Sequence, residues 1–116
     1  MAARQRLICA GSELVNGGRG VRFSLAVDGI VEPAFAIRFR GRVHGYLNRC
    51  GHVPLEMDWQ EGRFFDAGGL YLICATHGAL YAPDSGACLG GRCNGNGLVP
   101  VPLEERDGLI FLTESD

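Results

Sequence analysis

Two mixed cysteine–histidine pairs constrain the folding of this chain more than any other feature. Cys50-Gly51-His52 is a C-x-H pair and Cys74-Ala75-Thr76-His77 a C-x-x-H pair, with residues 53–73 between them. Each pair sits at the end of a predicted strand, 43–48 before the first and 70–73 before the second. If the four side chains share one site, two strands must deliver two loops to the same edge of a sheet. Each loop then offers one thiolate and one imidazole.

The rest of the pattern agrees with a sheet protein. Val21, Phe23, Leu25 and Val27 alternate with Arg22, Ser24 and Ala26, the period of a half-buried strand. Asp28-Gly29, a favoured hairpin pair, follows. Phe35, Ile37 and Phe39 alternate next, Arg40-Gly41-Arg42 turns the chain, and 43–47 makes another strand. Val99, Val101 and Leu103 alternate as one strand, Asp107-Gly108 turns, and 109–112 closes the sheet. Segment 7–14 is a weaker first strand. No window holds a 3.6-residue apolar period, so the expected fold is all-β, an antiparallel sandwich, as a single domain over 1–116. Stretches 48–69 and 75–97 resist strand assignment. Long Gly-rich loops in a small β domain are usually functional.

Few metal centres suit two thiolates and two imidazoles. One is tetrahedral zinc. Another is a 2Fe–2S cluster in which one iron takes both Cys and the other both His. Zinc fingers and ribbons set like ligands close together. Here each loop pairs unlike ligands, which favours a cluster that both loops span and leaves structural zinc as the alternative.

Asn48-Arg49-Cys50-Gly51-His52, then Cys74-Ala75-Thr76-His77-Gly78-Ala79-Leu80-Tyr81, then the Gly-rich stretch 86–97, resemble the Rieske ferredoxin family over roughly residues 7–112. The resemblance implies a three-sheet antiparallel β-fold whose cluster-binding tip is formed by two loops. It also implies Cys50, His52, Cys74 and His77 as ligands of a Rieske-type 2Fe–2S cluster, with the imidazoles facing solvent or the electron partner. Respiratory and photosynthetic members add a Cys to each loop and join the two by a disulfide. Those positions resemble Leu55 and Thr76 here. The Ser that reaches a bridging sulfide in those members matches Ala79, which has no hydroxyl. Tyr81 matches a tyrosine whose hydroxyl reaches a ligand sulfur. Hydrogen bonds to sulfur raise the potential, so a ferredoxin-type, low-potential member is expected.

The chain has three His, and the resemblance commits two of them to the cluster. His44 alone cannot build the two-His, one-carboxylate iron site of a terminal oxygenase. His44 itself reads as a plain surface histidine. The expected role is therefore an electron-transfer component, not an enzyme. It would take single electrons from a flavin-dependent reductase and pass them to a terminal oxygenase or another redox enzyme. A small Rieske subunit of a larger, nitrite-reductase-type oxidoreductase is the second reading, and a structural zinc-binding interaction module the third.

Composition narrows the setting. The net charge is −2 with no Lys/Arg run, so no nucleic-acid footprint is visible. No apolar run approaches the roughly 20 residues of a membrane span. Residues 1–6 carry neither an apolar signal core nor paired arginines, and the expectation is a cytoplasmic protein. Five Cys then favour metal binding over a disulfide framework. Cys88 and Cys93 read as two free thiols, with a redox-active disulfide as the sharper alternative. The resemblance to Rieske ferredoxins implies a Pro-containing loop here, and Arg92 stands where that Pro is expected. Cys9 reads as a buried apolar residue, and Trp59, Phe64 and Phe65 as core.

Overall fold

Strand β3 (Ile30–Phe39) organises the molecule because neither face of residues 34–37 meets solvent. In this computed structural model, which describes residues 3–49, 57–58, 60–74, 78–91, 93 and 95–115, Ala34, Phe35, Ala36 and Ile37 are all fully buried. The large side chains Phe35, Ile37 and Phe39 enter one core. The small ones, Ala34 and Ala36, enter two others on the opposite face. Alternating size along one strand lets a sheet pack on both sides.

β3 lies in a four-stranded antiparallel sheet, ordered β2 (Val21–Val27), β3, β4 (Arg42–Leu47), β8 (Pro100–Val101). A second sheet joins β1 (Ala3–Ala10), β10 (Leu109–Ser115) and β9 (Leu103–Arg106). The third and smallest joins β5 (Leu72–Ile73), β6 (Leu80–Tyr81) and β7 (Cys88–Gly90). The all-β, three-sheet antiparallel expectation holds. No helix among the described residues is long and apolar enough to cross a membrane.

Three hairpins turn on a residue–Gly pair, each with both residues at positive φ: Asp28-Gly29 (51° and 79°), Arg40-Gly41 (51° and 81°) and Asp107-Gly108 (54° and 74°). Positive φ at both central positions matches the right-handed twist of the flanking strands. Arginine is an unusual residue there. Its guanidinium stacks 5.0 Å from the Phe39 ring centroid, and Asn16 Oδ1 accepts from Gly41 N–H at 2.7 Å.

Four expectations are corrected. The weak segment 7–14 is a strand as far as Ala10, followed by a 3-10 turn, Gly11–Glu13. The register slips between Leu7 and Cys9. That bulge turns consecutive residues Ile8 and Cys9 inward, which erases the alternation. Val99, Val101 and Leu103 do not share a strand. Val101 pairs with β4 and Leu103 with β10, and the chain changes sheets at Pro102. Proline has no N–H for a ladder, but its carbonyl accepts from Thr113 N–H at 3.0 Å. Stretch 75–97 contains β6 and β7, both too short to show a period. His44 is half-buried in β4, where desolvation holds its pKa below the ordinary value. It is not a plain surface residue.

Arg38 ties two sheets together. It donates to both carboxylate oxygens of Glu105 at 2.8 and 2.7 Å, to Leu14 O at 2.9 Å and to Gly11 O at 3.1 Å. The bidentate bond holds the Glu105 carboxyl below its ordinary value of 4.5. A depressed carboxylate pKa contributes stability that is present above the unfolded value and lost as pH falls through the folded one. The urea midpoint of the wild type should therefore fall more steeply below about pH 4.5 than that of Glu105→Gln. Parallel acid limbs for the two proteins would contradict the linkage.

Candidate metal centre

β4 and β5 end where the two Cys/His pairs begin, and the cores beneath them decide how those ends are held. Cys74 directly follows β5. Its side chain is fully buried, in one cluster with Phe35, Phe64, Ala79, Tyr81 and Cys93. Its N–H donates to Ala79 O at 2.9 Å, and its carbonyl accepts from Gly78 N–H at 2.7 Å. Both ends of the second ligand segment are thus closed on each other by backbone bonds. Gly78, at φ 71°, makes the bend after His77. The strand below is itself supported. Ile73 N–H reaches Phe64 O at 2.8 Å, Phe65 bridges to Leu72, and Asp66 Oδ1 accepts from Leu70 and Tyr71 at 3.1 and 3.3 Å.

The first ligand segment is closed by side chains instead. Asn48 is fully buried directly after β4. Its Nδ2 donates to Asp58 Oδ1 at 2.9 Å, and its Oδ1 accepts from Met57 N–H at 2.9 Å. Asp58 Oδ2 accepts from Gly62 N–H at 3.0 Å and faces Arg22 Nε at 3.5 Å. Asn48 N–H in turn donates to Pro33 O at 2.8 Å. Two buried polar residues therefore join residues 48 and 57–58 and bracket the stretch that carries Cys50 and His52. Sequence reasoning missed Asp58 and used Asn48 only as part of a motif. The available signal was a polar residue closing an apolar strand on the inside.

Tyr46 was also missed. Its hydroxyl donates to Pro83 O at 2.8 Å, and burial pushes its pKa up to about 12. It stays a neutral donor that pins the 82–87 turn to β4. Ala79 and Tyr81 are both fully buried, in the same cluster as Cys74. Phe64 is core, stacked on Phe35 at 3.9 Å, and Phe65 packs against that core. Cys9 is buried, and desolvation raises its thiol to about pKa 11.

Cys50, His52, Leu55, Trp59, Thr76, His77 and Arg92 lie outside the described residues. Of the four expected ligands, the structure describes Cys74. Cys88 and Cys93 are not free thiols. They form a disulfide with Cα atoms 6.0 Å apart, because the bulged β7 and the turn after it bring the two residues together.

The setting of Cys74, the one expected ligand described, fits a metal group. A buried thiol at the mouth of a pinned loop is poorly placed to meet water as a thiolate. A cation supplies the charge that lets such a sulfur ionise. The expected set of two thiolates and two imidazoles would match a Rieske-type 2Fe–2S cluster.

No family model matches the sequence, and no curated protein does. Solved structures do match. The chain is similar to the Sphingomonas yanoikuyae B1 ferredoxin at TM-score 0.73 and 16% identity, over 97% of this chain and 100% of that one. It is similar to the ferredoxin of carbazole 1,9a-dioxygenase from Nocardioides aromaticivorans IC177 at TM-score 0.71 and 18% identity, over 96% and 98%. It also resembles a protein described as a putative NADH-dependent nitrite reductase small subunit from Mycobacterium tuberculosis, at TM-score 0.69 and 21% identity, over 100% and 99%. At these identities the likeness speaks for the fold. The chain has the fold of the Rieske-type ferredoxins, the family its Cys/His motifs resemble.

Proposed function

We propose that this chain is a one-electron carrier whose Rieske-type 2Fe–2S cluster is held by Cys50, His52, Cys74 and His77. The observation that carries the reading is the seating of Cys74: a fully buried thiol, directly after a strand, in a loop closed by two backbone bonds. When bound, the cluster supplies a centre that accepts and gives up one electron at a time. The residues around it set how readily. Ala79 offers no hydroxyl to a sulfur, and Tyr81 lies in the same buried cluster as Cys74. The polar clamp of Asn48 and Asp58 ties residue 48 to residues 57–58, either side in sequence of Cys50 and His52, and the Gly78 bend follows His77.

Single electrons come from a flavin-dependent reductase and go to a terminal oxygenase or a similar redox enzyme. Support for the acceptor is likeness to a chain in the complex of reduced oxygenase and oxidized ferredoxin in carbazole 1,9a-dioxygenase, at TM-score 0.71 over 97% of this chain. A second reading, small subunit of a nitrite-reductase-type complex, is favoured by the end-to-end match to the nitrite reductase small subunit. Co-purification with a large catalytic subunit would select it; isolation as a lone carrier selects the first. Either way the protein acts in the cytoplasm as an electron-transfer component and not as an enzyme.

Three outcomes are expected. Anaerobically purified protein carries iron and acid-labile sulfide in equal amounts, about two of each per chain, the content of a 2Fe–2S site. One zinc without sulfide would instead make the four ligands a structural site. The midpoint lies toward the low end of the Rieske range, and Ala79→Ser moves it upward by adding a donor to sulfur. Voltammetry giving a wild-type value near the upper end, about +300 mV, would contradict the hydrogen-bond argument. Asn48→Leu leaves Met57 N–H and Asp58 Oδ1 without their partner, at about 1–3 kcal/mol for each. Its iron should leave faster in a chelator challenge than that of wild type, and equal release rates would remove the clamp from the account.

A further inference from the structure

Among the described residues, the Cys88–Cys93 disulfide is the one redox-capable group outside the proposed ligand set whose position touches a ligand loop. Cys88 opens β7 opposite Tyr81, and Gly90 pairs with Leu80. The slip between those pairs leaves Leu89 as an extra, exposed residue. The chain then bends at Gly91, φ 82°, with its backbone against the second ligand segment. A Cβ built on Gly91 would meet Ala79 Cα at 2.9 Å, Gly78 O at 3.0 Å and Ala79 N at 3.3 Å. Gly78 and Ala79 directly follow His77 and are the residues whose backbone bonds close on Cys74. Only a glycine permits this approach, and the disulfide ties the turn that carries it.

The two sulfurs stand in different surroundings. Cys93 is fully buried in the core that holds Cys74, while Cys88 is half-buried at its edge. Beside Cys93 Sγ lie the carbonyl oxygens of Gly90, at 3.2 Å, and Leu80, at 3.9 Å. A disulfide sulfur cannot donate to them, but the S–H of a reduced Cys93 can. The core therefore already holds an acceptor for the proton that reduction would add.

We propose that Cys88–Cys93 is a reducible strap on the second ligand loop, opened by a dithiol reductant, whose opening raises the cluster's midpoint. The proposal rests on the carrier reading above. A thiolate of the dithiol attacks Cys88 Sγ, the more accessible sulfur. The S–S bond breaks, and Cys93 leaves with the electron pair and takes a proton. The dithiol's second sulfur then attacks the mixed disulfide and releases Cys88, which is protonated in turn. Two electrons and two protons end on Cys88 and Cys93, and the dithiol becomes its own disulfide. Without the tie, the Gly91 turn can lift from Gly78–Ala79 and admit water beside Cys74. Water solvates the more negative, reduced cluster better than the oxidised one, so its midpoint rises.

The test treats anaerobic holoprotein with and without excess dithiothreitol, then removes the reagent. Iron and sulfide are measured first, then alkylation of each cysteine by mass spectrometry, then the midpoint by voltammetry. The expected result is alkylation of Cys88 and Cys93 with unchanged iron and sulfide. Cys9, buried and with a pKa of about 11, stays unmodified and serves as the internal control. The reduction constant should rise roughly threefold to tenfold, tenfold being about 59 mV for one electron. The double variant C88S/C93S should show the raised midpoint without dithiol and no further response to it. If that variant does not fold, the dithiol comparison on wild type still decides. A disulfide that resists excess dithiol in the folded protein overturns the proposal, as does one that opens with no change in midpoint. Absence of iron and sulfide before any dithiol is added overturns the carrier reading itself, and this proposal with it.

Discussion

The absence of a solvent face on residues 34–37 of β3 governs the architecture. A strand buried on both sides must be flanked by two layers, and its residues decide what each layer is made of. Ala34 and Ala36 leave room for the sheet that contains β10 to approach closely. Phe35, Ile37 and Phe39 instead project into the core shared with the small β5–β6–β7 sheet. At about 1.5–3 kcal/mol for each large apolar side chain buried, that second core has enough to gain to hold three strands of two or three residues. None of them could stand alone. The proposed second ligand loop, which follows β5, is therefore mounted on a sheet whose floor β3 supplies.

Such a mounting leaves the backbone of the loops to be satisfied locally, and the two loops solve this differently. The second closes on itself through Cys74, Gly78 and Ala79, using main-chain groups alone. The first is longer and closes through Asn48 and Asp58, whose side chains replace the missing ladder bonds. Buried polar groups are tolerated only when paired. Asp58 accepts from Asn48 and Gly62 and faces Arg22, so its charge is compensated.

Much of this was legible in the sequence, for reasons that can be named. The β2 alternation, the three residue–Gly hairpins and the Phe35–Ile37–Phe39 face are local patterns, and local patterns survive in one dimension. Segment 7–14 was only half legible because the bulge at Ile8 changes the period by one residue. The split at Pro102 was hidden because two strands of different sheets happened to continue one alternation. The clamp of Asn48 to Asp58 joins residues ten apart through side chains, and no periodicity encodes that. For the candidate site, Cys74 directly follows a strand, as the pattern of 70–73 suggests, and the other three expected ligands lie outside the described residues. The expectation of free thiols at Cys88 and Cys93 rested on a cytoplasmic setting, a prior about the environment. The disulfide follows from a bulge and a turn that bring the two residues together.

The two ways of closing a loop have different consequences for the proposed electron carrier. A clamp of amide and carboxylate is insensitive to the redox state of its surroundings, so the segment bearing Cys50 and His52 keeps its support whatever reductants are present. The segment bearing Cys74 and His77 is backed by a turn that one sulfur–sulfur bond ties down. A member of this fold with a proline in that turn would gain stiffness from a fixed φ that no reductant can alter. An arginine at position 92 restricts nothing of the kind, and the stiffness falls to Cys88 and Cys93. Replacing a ring constraint by a covalent bond that two electrons can open makes the geometry around Cys74 conditional on the chemistry outside the protein.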